Sequence, residues 1–262
     1  MTLKPIFAGL LLVMSLKAMA QKSLYRKELF VSGNDSIAYR LLFPANYRPA
    51  KKYPLLLFLH GAGERGRDNE LQLKRVGLLI DSLKHRQFPC FVLVPQCPKQ
   101  DAWVNFPAFP ASLAATAAPT TATRLTLALV HDLLTRLPLD ERRIYLTGFS
   151  MGGEGTFDFL AREPTLFAAA APVCAVADTS QAKRLVNIPV WAFHGDADQV
   201  NDVTYSRLMI SALKKAGGTP RYTEYEGVQH NAWVNAYAEP ALLPWLFAQK
   251  RTVARRKRAA IR

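Results

Sequence analysis

Ile144-Tyr145-Leu146-Thr147-Gly148-Phe149-Ser150-Met151-Gly152-Gly153 decides how this chain is read. Strand-like residues run into Gly-x-Ser-x-Gly, and a helix-compatible run, Glu154 to Arg162, follows at once. A serine at the apex of so sharp a strand-to-helix turn sits in a strained backbone conformation, so the residues two before and two after it must lack bulk. Gly148 and Gly152 meet that need, which makes Ser150 a candidate nucleophile. The plain alternative, a glycine-rich turn with an idle serine, leaves the flanking strand and helix as coincidence.

On both sides of this stretch the chain keeps alternating strand and helix. Leu24 to Val31 and Ser36 to Phe43 read as two strands about the turn Ser32-Gly33-Asn34-Asp35. The continuous apolar run Leu55 to Leu59 has the length of a central strand covered on both faces, and it ends in the glycine-rich loop His60-Gly61-Ala62-Gly63-Glu64-Arg65-Gly66. A helix over Leu71 to Lys84 and a strand over Phe91 to Val94 follow. The stretch 106–123, rich in Ala, Pro and Thr, lacks periodicity and is either part of a lid or cleft wall or a surface excursion. Leu125 to Leu137 mark one helical face closed by Pro138. Beyond the serine turn come strands over Phe167 to Val176 and Val190 to Phe193, a helix over Val203 to Ala216 and a last strand over Arg221 to Tyr225. Such alternation predicts an α/β domain with a mostly parallel sheet.

A serine hydroxyl needs a base within hydrogen-bond reach, and the base needs an orienting acid. After the strand ending at Phe193 stands His194-Gly195-Asp196-Ala197-Asp198, and after Tyr225 stands Gly227-Val228-Gln229-His230. His230 is the candidate base, because His85 and His131 fall in predicted helices while His60 and His194 precede glycines at strand ends and brace loops. Met151, following the serine at a helix N-terminus, offers a backbone N–H to an oxyanion. Trp103 and Trp233 either line a substrate pocket or belong to the partial core.

Leu59 to Gly66, Pro95-Gln96-Cys97-Pro98 with Trp103, Gly148 to Gly153 and the two later motifs together resemble the secreted esterases of the dienelactone-hydrolase and phospholipase/carboxylesterase group, some of whose members are labelled predicted peptidases. The resemblance spans Leu24 to about Phe247. It implies an α/β-hydrolase fold with about eight strands and helices on both faces, in which Ser150, Asp198 and His230 follow the group's order of nucleophile, acid and base. It assigns the acid to Asp198 rather than Asp196, and the second oxyanion donor to Ala62, with Gly63 as the alternative. Glu64 and Arg65 either clamp their loop by pairing or are surface charge. Asn201 departs from the proline common in the group and puts the local turn in doubt. The implied activity is hydrolysis of carboxylic esters, acetyl or feruloyl esters of polysaccharide or small esters, with peptide hydrolysis as the alternative. No cofactor is implied.

Length and composition suit one domain: 262 residues with 50% hydrophobic content bury a full core. Lys4, the apolar run Ile6 to Leu16 and Ala18-Met19-Ala20 read as a secretory signal peptide over residues 1–20, which places the catalytic domain at 21–249 and the protein outside the cytoplasm, secreted or periplasmic. Three cysteines, Cys90, Cys97 and Cys174, are too few for a disulfide scaffold and are expected as free buried thiols. No His or Cys spacing resembles a metal site. The net charge of +14 loses its nucleic-acid meaning once divided: setting aside Lys4, Lys17 and the seven basic residues of 250–262 leaves 25 basic against 20 acidic residues, or +5. The basic tail 250–262 reads as a solvated end, with contact to an anionic surface as the alternative. No nucleic-acid partner and no stable membrane insertion are expected.

Overall fold

A computed structural model describes residues 24–252. The expected signal peptide, 1–20, and residues 253–262 of the basic tail lie outside the described residues.

The eight strands are β1 Arg26–Ser32, β2 Asp35–Leu42, β3 Tyr53–Leu59, β4 Phe91–Gln96, β5 Leu139–Phe149, β6 Ala169–Val173, β7 Trp191–Gly195 and β8 Arg221–Tyr225. They form one sheet in the order β1-β2-β4-β3-β5-β6-β7-β8. β2 is antiparallel to β1 and to β4, and every other pairing is parallel. Ser32 pairs with Asp35, so the β1–β2 hairpin turns on Gly33 and Asn34 alone, with Gly33 at φ 62° as a tight hairpin turn requires.

The central strands explain the continuous apolar runs. Leu55, Leu57 and Leu59 of β3 face one core, and Leu56 and Phe58 face the other. Strict alternation of polar and apolar residues is impossible where helices cover both faces. On the first face lie α3 (Thr121–Arg136), α4 (Met151–Arg162), α5 (Ala182–Leu185) and α6 (Val203–Lys215). On the second lie α1 (Val76–Leu79), α7 (Trp233–Ala238) and α8 (Leu242–Ala248).

The strand expected over Phe167 to Val176 is shorter, Ala169–Val173, and two other expected elements differ more. The helix expected over Leu71 to Lys84 is broken into a 3-10 turn at Leu71–Leu73, α1, and α2 at Ser82–Gln87. The break falls where Ile80 turns extended and the Asp81 carboxylate accepts the N–H groups of Leu83 and Lys84, starting a new helix. The irregular stretch 106–123 ends sooner than expected, because Thr120 caps α3 and residues 121–123 form its first turn. The rest of that stretch is pinned to α4 and to the loop after β6: Arg162 donates to the carbonyls of Thr116 and Ala117, each at 2.9 Å, and Ala115 N–H donates to Asp178 at 3.2 Å. All three cysteines are free and buried. Arg251, in the first residues of the basic tail, donates its N–H to the Arg142 carbonyl at 2.9 Å. Among the described residues, no helix is long and apolar enough to cross a membrane.

Candidate active site

β5 ends at Phe149 and α4 begins at Met151, so Ser150 alone makes the turn. Its φ of 53° and ψ of −125° lie outside the regions an L-residue prefers, a cost of about 1–3 kcal/mol. Ser150 N–H donates to Val173 O at 2.9 Å, and Ser150 O accepts from Glu154 N–H at 3.0 Å, which holds the strained residue from both sides. The two flanking glycines are required by contact: a Cβ at Gly148 would run into the Gly152 carbonyl, and one at Gly152 into the carbonyls of Leu59 and His60. The end of β3, with its glycine-rich loop, therefore lies directly against the serine turn.

The loops after β7 and β8 are tied together before either reaches the serine. Asp196 N–H donates to Tyr225 O and Ala197 N–H to Val228 O, each at 3.1 Å, while the Asp196 carboxylate accepts Gly227 N–H at 2.7 Å. Asp196 is thus a loop brace. His230 emerges from this platform with Nε2 2.8 Å from Ser150 Oγ and Nδ1 2.7 Å from Asp198 Oδ2. The other oxygen of Asp198, Oδ1, accepts the N–H groups of Val200 and Asn201, both at 2.9 Å. Such a row can move a proton from the serine hydroxyl to Nε2 while the buried carboxylate steadies the charged ring.

Asn201 settles the local turn without proline. Its Nδ2 donates to Cys174 O at 2.8 Å and to Glu154 Oε1 at 3.1 Å, which joins the β7 loop to β6 and α4. Burial pushes the Glu154 carboxyl up to about 7, against the opposing pull of the Asn201 bond. Phe106 and Ala115 of the irregular stretch stand with Glu154, Phe157 and Asp178 around a small hollow that neither Ser150 nor His230 lines.

Across the serine, Ala62 is the first residue of the 3-10 turn Ala62–Glu64, and Met151 is the first of α4. N–H groups at such positions have no acceptor inside their own element, so both are available to an incoming oxygen. His60 braces the Ala62 loop. Its Nδ1–H donates to Gly61 O at 2.7 Å, and its Nε2 accepts Cys97 N–H at 3.0 Å. Burial lowers its pKa to about 4 and keeps the ring neutral.

Glu64 and Arg65 do not pair with each other. Consecutive residues of a 3-10 turn point to different sides. Glu64 is buried and meets Arg75 Nε at 3.3 Å, while Arg65 donates to the carbonyls of Ala62 at 3.1 Å and Asp101 at 3.3 Å.

The two tryptophans part company. Trp103 has no exposed surface; its Nε1–H donates to His60 O at 3.0 Å and its ring meets His60 edge-on, so it supports the loop and lines no cleft. Trp233 stands beside the base, its ring perpendicular to His230 at 5.6 Å and packed on Phe149 at 4.8 Å, with the Arg75 guanidinium 4.7 Å from its centre.

Three residues stood out less in the sequence. His194 is wholly buried with Nε2 2.8 Å from Asn201 O, and Nδ1 2.7 Å from Ser206 Oγ. Cys174 sits behind the base, its sulfur facing the N–H groups of Ala232, Gly195 and Trp233, and burial with the nearby Asp198 charge pushes its thiol up to about 12. Asn201 had only its departure from proline as a signal. Cys174, His194 and Asp198 each put a donor atom within 4.8 Å of the others, the one such group among the described residues. Both His194 nitrogens and both Asp198 oxygens are already engaged, so a cation there would have to displace His230.

The phospholipase/carboxylesterase family profile matches residues 47–239. A thermostable esterase of known structure is similar to the chain at 37% identity and a TM-score of 0.82, over 88% of this chain and 64% of that one. The acylaminoacyl peptidase of Pyrococcus horikoshii has 14% identity and a TM-score of 0.63, covering 88% of this chain and 42% of the peptidase. For the dipeptidyl peptidase 4 of Porphyromonas gingivalis the values are 16% and 0.62, with 86% and 35% covered. The chain thus spans less than two thirds of the length of each, and the two peptidases share its fold. No curated protein matches. The sheet, the strained serine turn and the profile match agree that the chain belongs to the phospholipase/carboxylesterase family of α/β-hydrolases.

Proposed function

We propose that the chain is a serine esterase that hydrolyses carboxylic esters through an acyl-enzyme. The observation that supports this most is the pair of hydrogen bonds, 2.8 Å and 2.7 Å, that joins Ser150 through His230 to Asp198. In this reading Ser150 Oγ attacks the ester carbonyl carbon as its proton passes to His230 Nε2. The N–H groups of Ala62 and Met151 meet the oxygen that turns negative. Collapse breaks the bond to the alcohol, which leaves with the proton from His230. Water then attacks the acyl group with His230 again as base, releasing the acid and restoring Ser150.

Ser150→Ala or His230→Ala lowers kcat on a p-nitrophenyl ester by about a thousandfold or more without unfolding the protein. Turnover like wild type in either folded variant overturns the reading. The substrate class proposed is an acetyl or feruloyl ester of a saccharide or a small ester, tested with a panel of acylated oligosaccharides and p-nitrophenyl esters. Peptide hydrolysis is the second reading, favoured by the peptidases that share the fold. Matched ester and anilide substrates decide between them. We also propose that residues 1–20 direct export, so that the mature exported chain starts at Gln21, a point read by N-terminal sequencing.

A further inference from the structure

An aspartate that orients a catalytic imidazole must itself be held, and Asp198 is held on both oxygens. Oδ1 takes two backbone N–H groups. Oδ2 faces two histidines: Nδ1 of His230 at 2.7 Å and Nε2 of His194 at 3.2 Å. The tautomer of His194 follows from its other partner. The Asn201 carbonyl, 2.8 Å from Nε2, can only accept, so Nε2 carries the hydrogen. Nδ1 is then bare and accepts the Ser206 hydroxyl at 2.7 Å, a closer acceptor for that one hydrogen than the Ala175 carbonyl 3.3 Å from the same oxygen. Complete burial lowers the pKa of this ring and keeps it uncharged, so it brings no positive charge to compete with a protonated His230.

We infer that His194 is a positioning residue of the same reaction: its Nε2–H is divided between Asn201 O and Asp198 Oδ2, fixing the carboxylate opposite His230 and drawing off part of its charge. This rests on the proposed roles of Ser150, His230 and Asp198. With the His194 donor removed, Oδ2 swings more freely and becomes a stronger acceptor for the imidazolium. The first effect lowers kcat, and the second moves the acid limb of kcat/KM to higher pH, because the active base is the neutral ring.

Other groups act on this cluster. Cys174 faces it from just after β6, Asp202 from the cap of α6 and Glu224, paired with Arg207, from β8; Glu154 reaches it from α4 through Asn201. Burial pushes the Glu154 carboxyl up to about 7, so the profiles are measured with Glu154→Gln as well as in the native background, which keeps its titration apart from that of the base.

The test compares two amides. In His194→Gln the amide nitrogen reaches the place of Nε2 and can still donate to Asp198. In His194→Asn the side chain reaches only the place of Nδ1. H194N is expected to lose kcat by about 10- to 100-fold at an unchanged KM, with the acid limb raised by about half to one pH unit, while H194Q stays within about threefold of wild type with its limb unmoved. Equal losses in both variants, or an unmoved limb in H194N, overturn the inference. Nitrogen-15 NMR of histidine-labelled wild-type protein tests it without relying on a variant that folds. A neutral His194 ring with hydrogen on Nε2 from pH 5 to 8 supports it, and hydrogen on Nδ1 or a charged ring overturns it. The tautomer does not depend on what Ser150 does, so a fully active S150A would sink the esterase reading while leaving this measurement separate.

Discussion

The sheet carries the dipeptide His-Gly twice at a strand's carboxyl end, at His60 after β3 and at His194 in β7, and the two rings are used in opposite senses. Both are wholly buried and both have a pKa lowered by burial. His60 must accept at Nε2, because a backbone N–H, that of Cys97, points at it. His194 must donate at Nε2, because a carbonyl and a carboxylate do. A neutral imidazole is one donor and one acceptor, and the surrounding backbone decides which nitrogen is which. In the proposed mechanism, one ring therefore steadies the loop that would offer N–H groups to a developing anion, and the other steadies the carboxylate that would orient the base.

The sharpest way to break this contrast is at the acid. Asp198→Asn keeps the shape but can present an N–H to His230 and favour the wrong tautomer, so ester kcat should fall by about a thousandfold to ten-thousandfold. Asp196→Asn, which loses part of a loop brace, should change kcat by less than about tenfold. Both are read at one pH with circular dichroism as a check on folding. A severe loss in D196N beside a nearly active D198N would reverse the roles given to the two loops.

A smaller effect is expected at the other histidine. His60→Asn keeps a donor toward Gly61 O but leaves the buried Cys97 N–H without an acceptor, and the Ala62 loop loses its support. We expect kcat to fall about 10- to 100-fold with little change in KM, and His60→Gln, whose amide oxygen can take the place of Nε2, to recover most of it. If the two variants were equally impaired, shape rather than the polarity of Nε2 would govern this loop.

The smallest effect is on stability rather than turnover. Glu154 has a folded pKa near 7 against 4.5 for the ordinary group, so the folded state binds its proton more tightly than the unfolded state does. Wild type therefore loses stability as pH rises from about 4.5 to about 7. Glu154→Gln removes that loss, and its advantage over wild type should grow across this window to about 3 kcal/mol at pH 8. Denaturant unfolding at pH 4 and pH 8 measures it; an advantage that is constant with pH would show that Glu154 ionises as freely folded as unfolded.

Much of the frame was legible because it obeys local rules. Leu55 to Leu59 announced a strand covered on both faces, and Gly148 and Gly152 announced a turn too tight for side chains. The helix expected over Leu71 to Lys84 failed because apolar spacing does not register a new N-cap, and Asp81 supplied one. Trp103 reads in the sequence as either a pocket wall or partial core, and not as the support of His60, since nothing in its own neighbourhood of the chain points there.

By itself the sequence determined the order of elements, the serine at the apex of its turn and the short set of residues able to serve it as acid, base and N–H donors. These follow from side-chain chemistry and from backbone constraints acting over a few residues. The resemblance already pointed to Asp198 over Asp196, but it took the tertiary structure to show that Asp196 braces a loop, that Glu64 turns to Arg75, and that His194 and Asn201 stand behind Asp198. The physical reason is that a hydrogen bond is set by distances of about 3 Å between groups whose separation along the chain has no bearing on it. Ser150 and His230 are 80 positions apart and 2.8 Å apart.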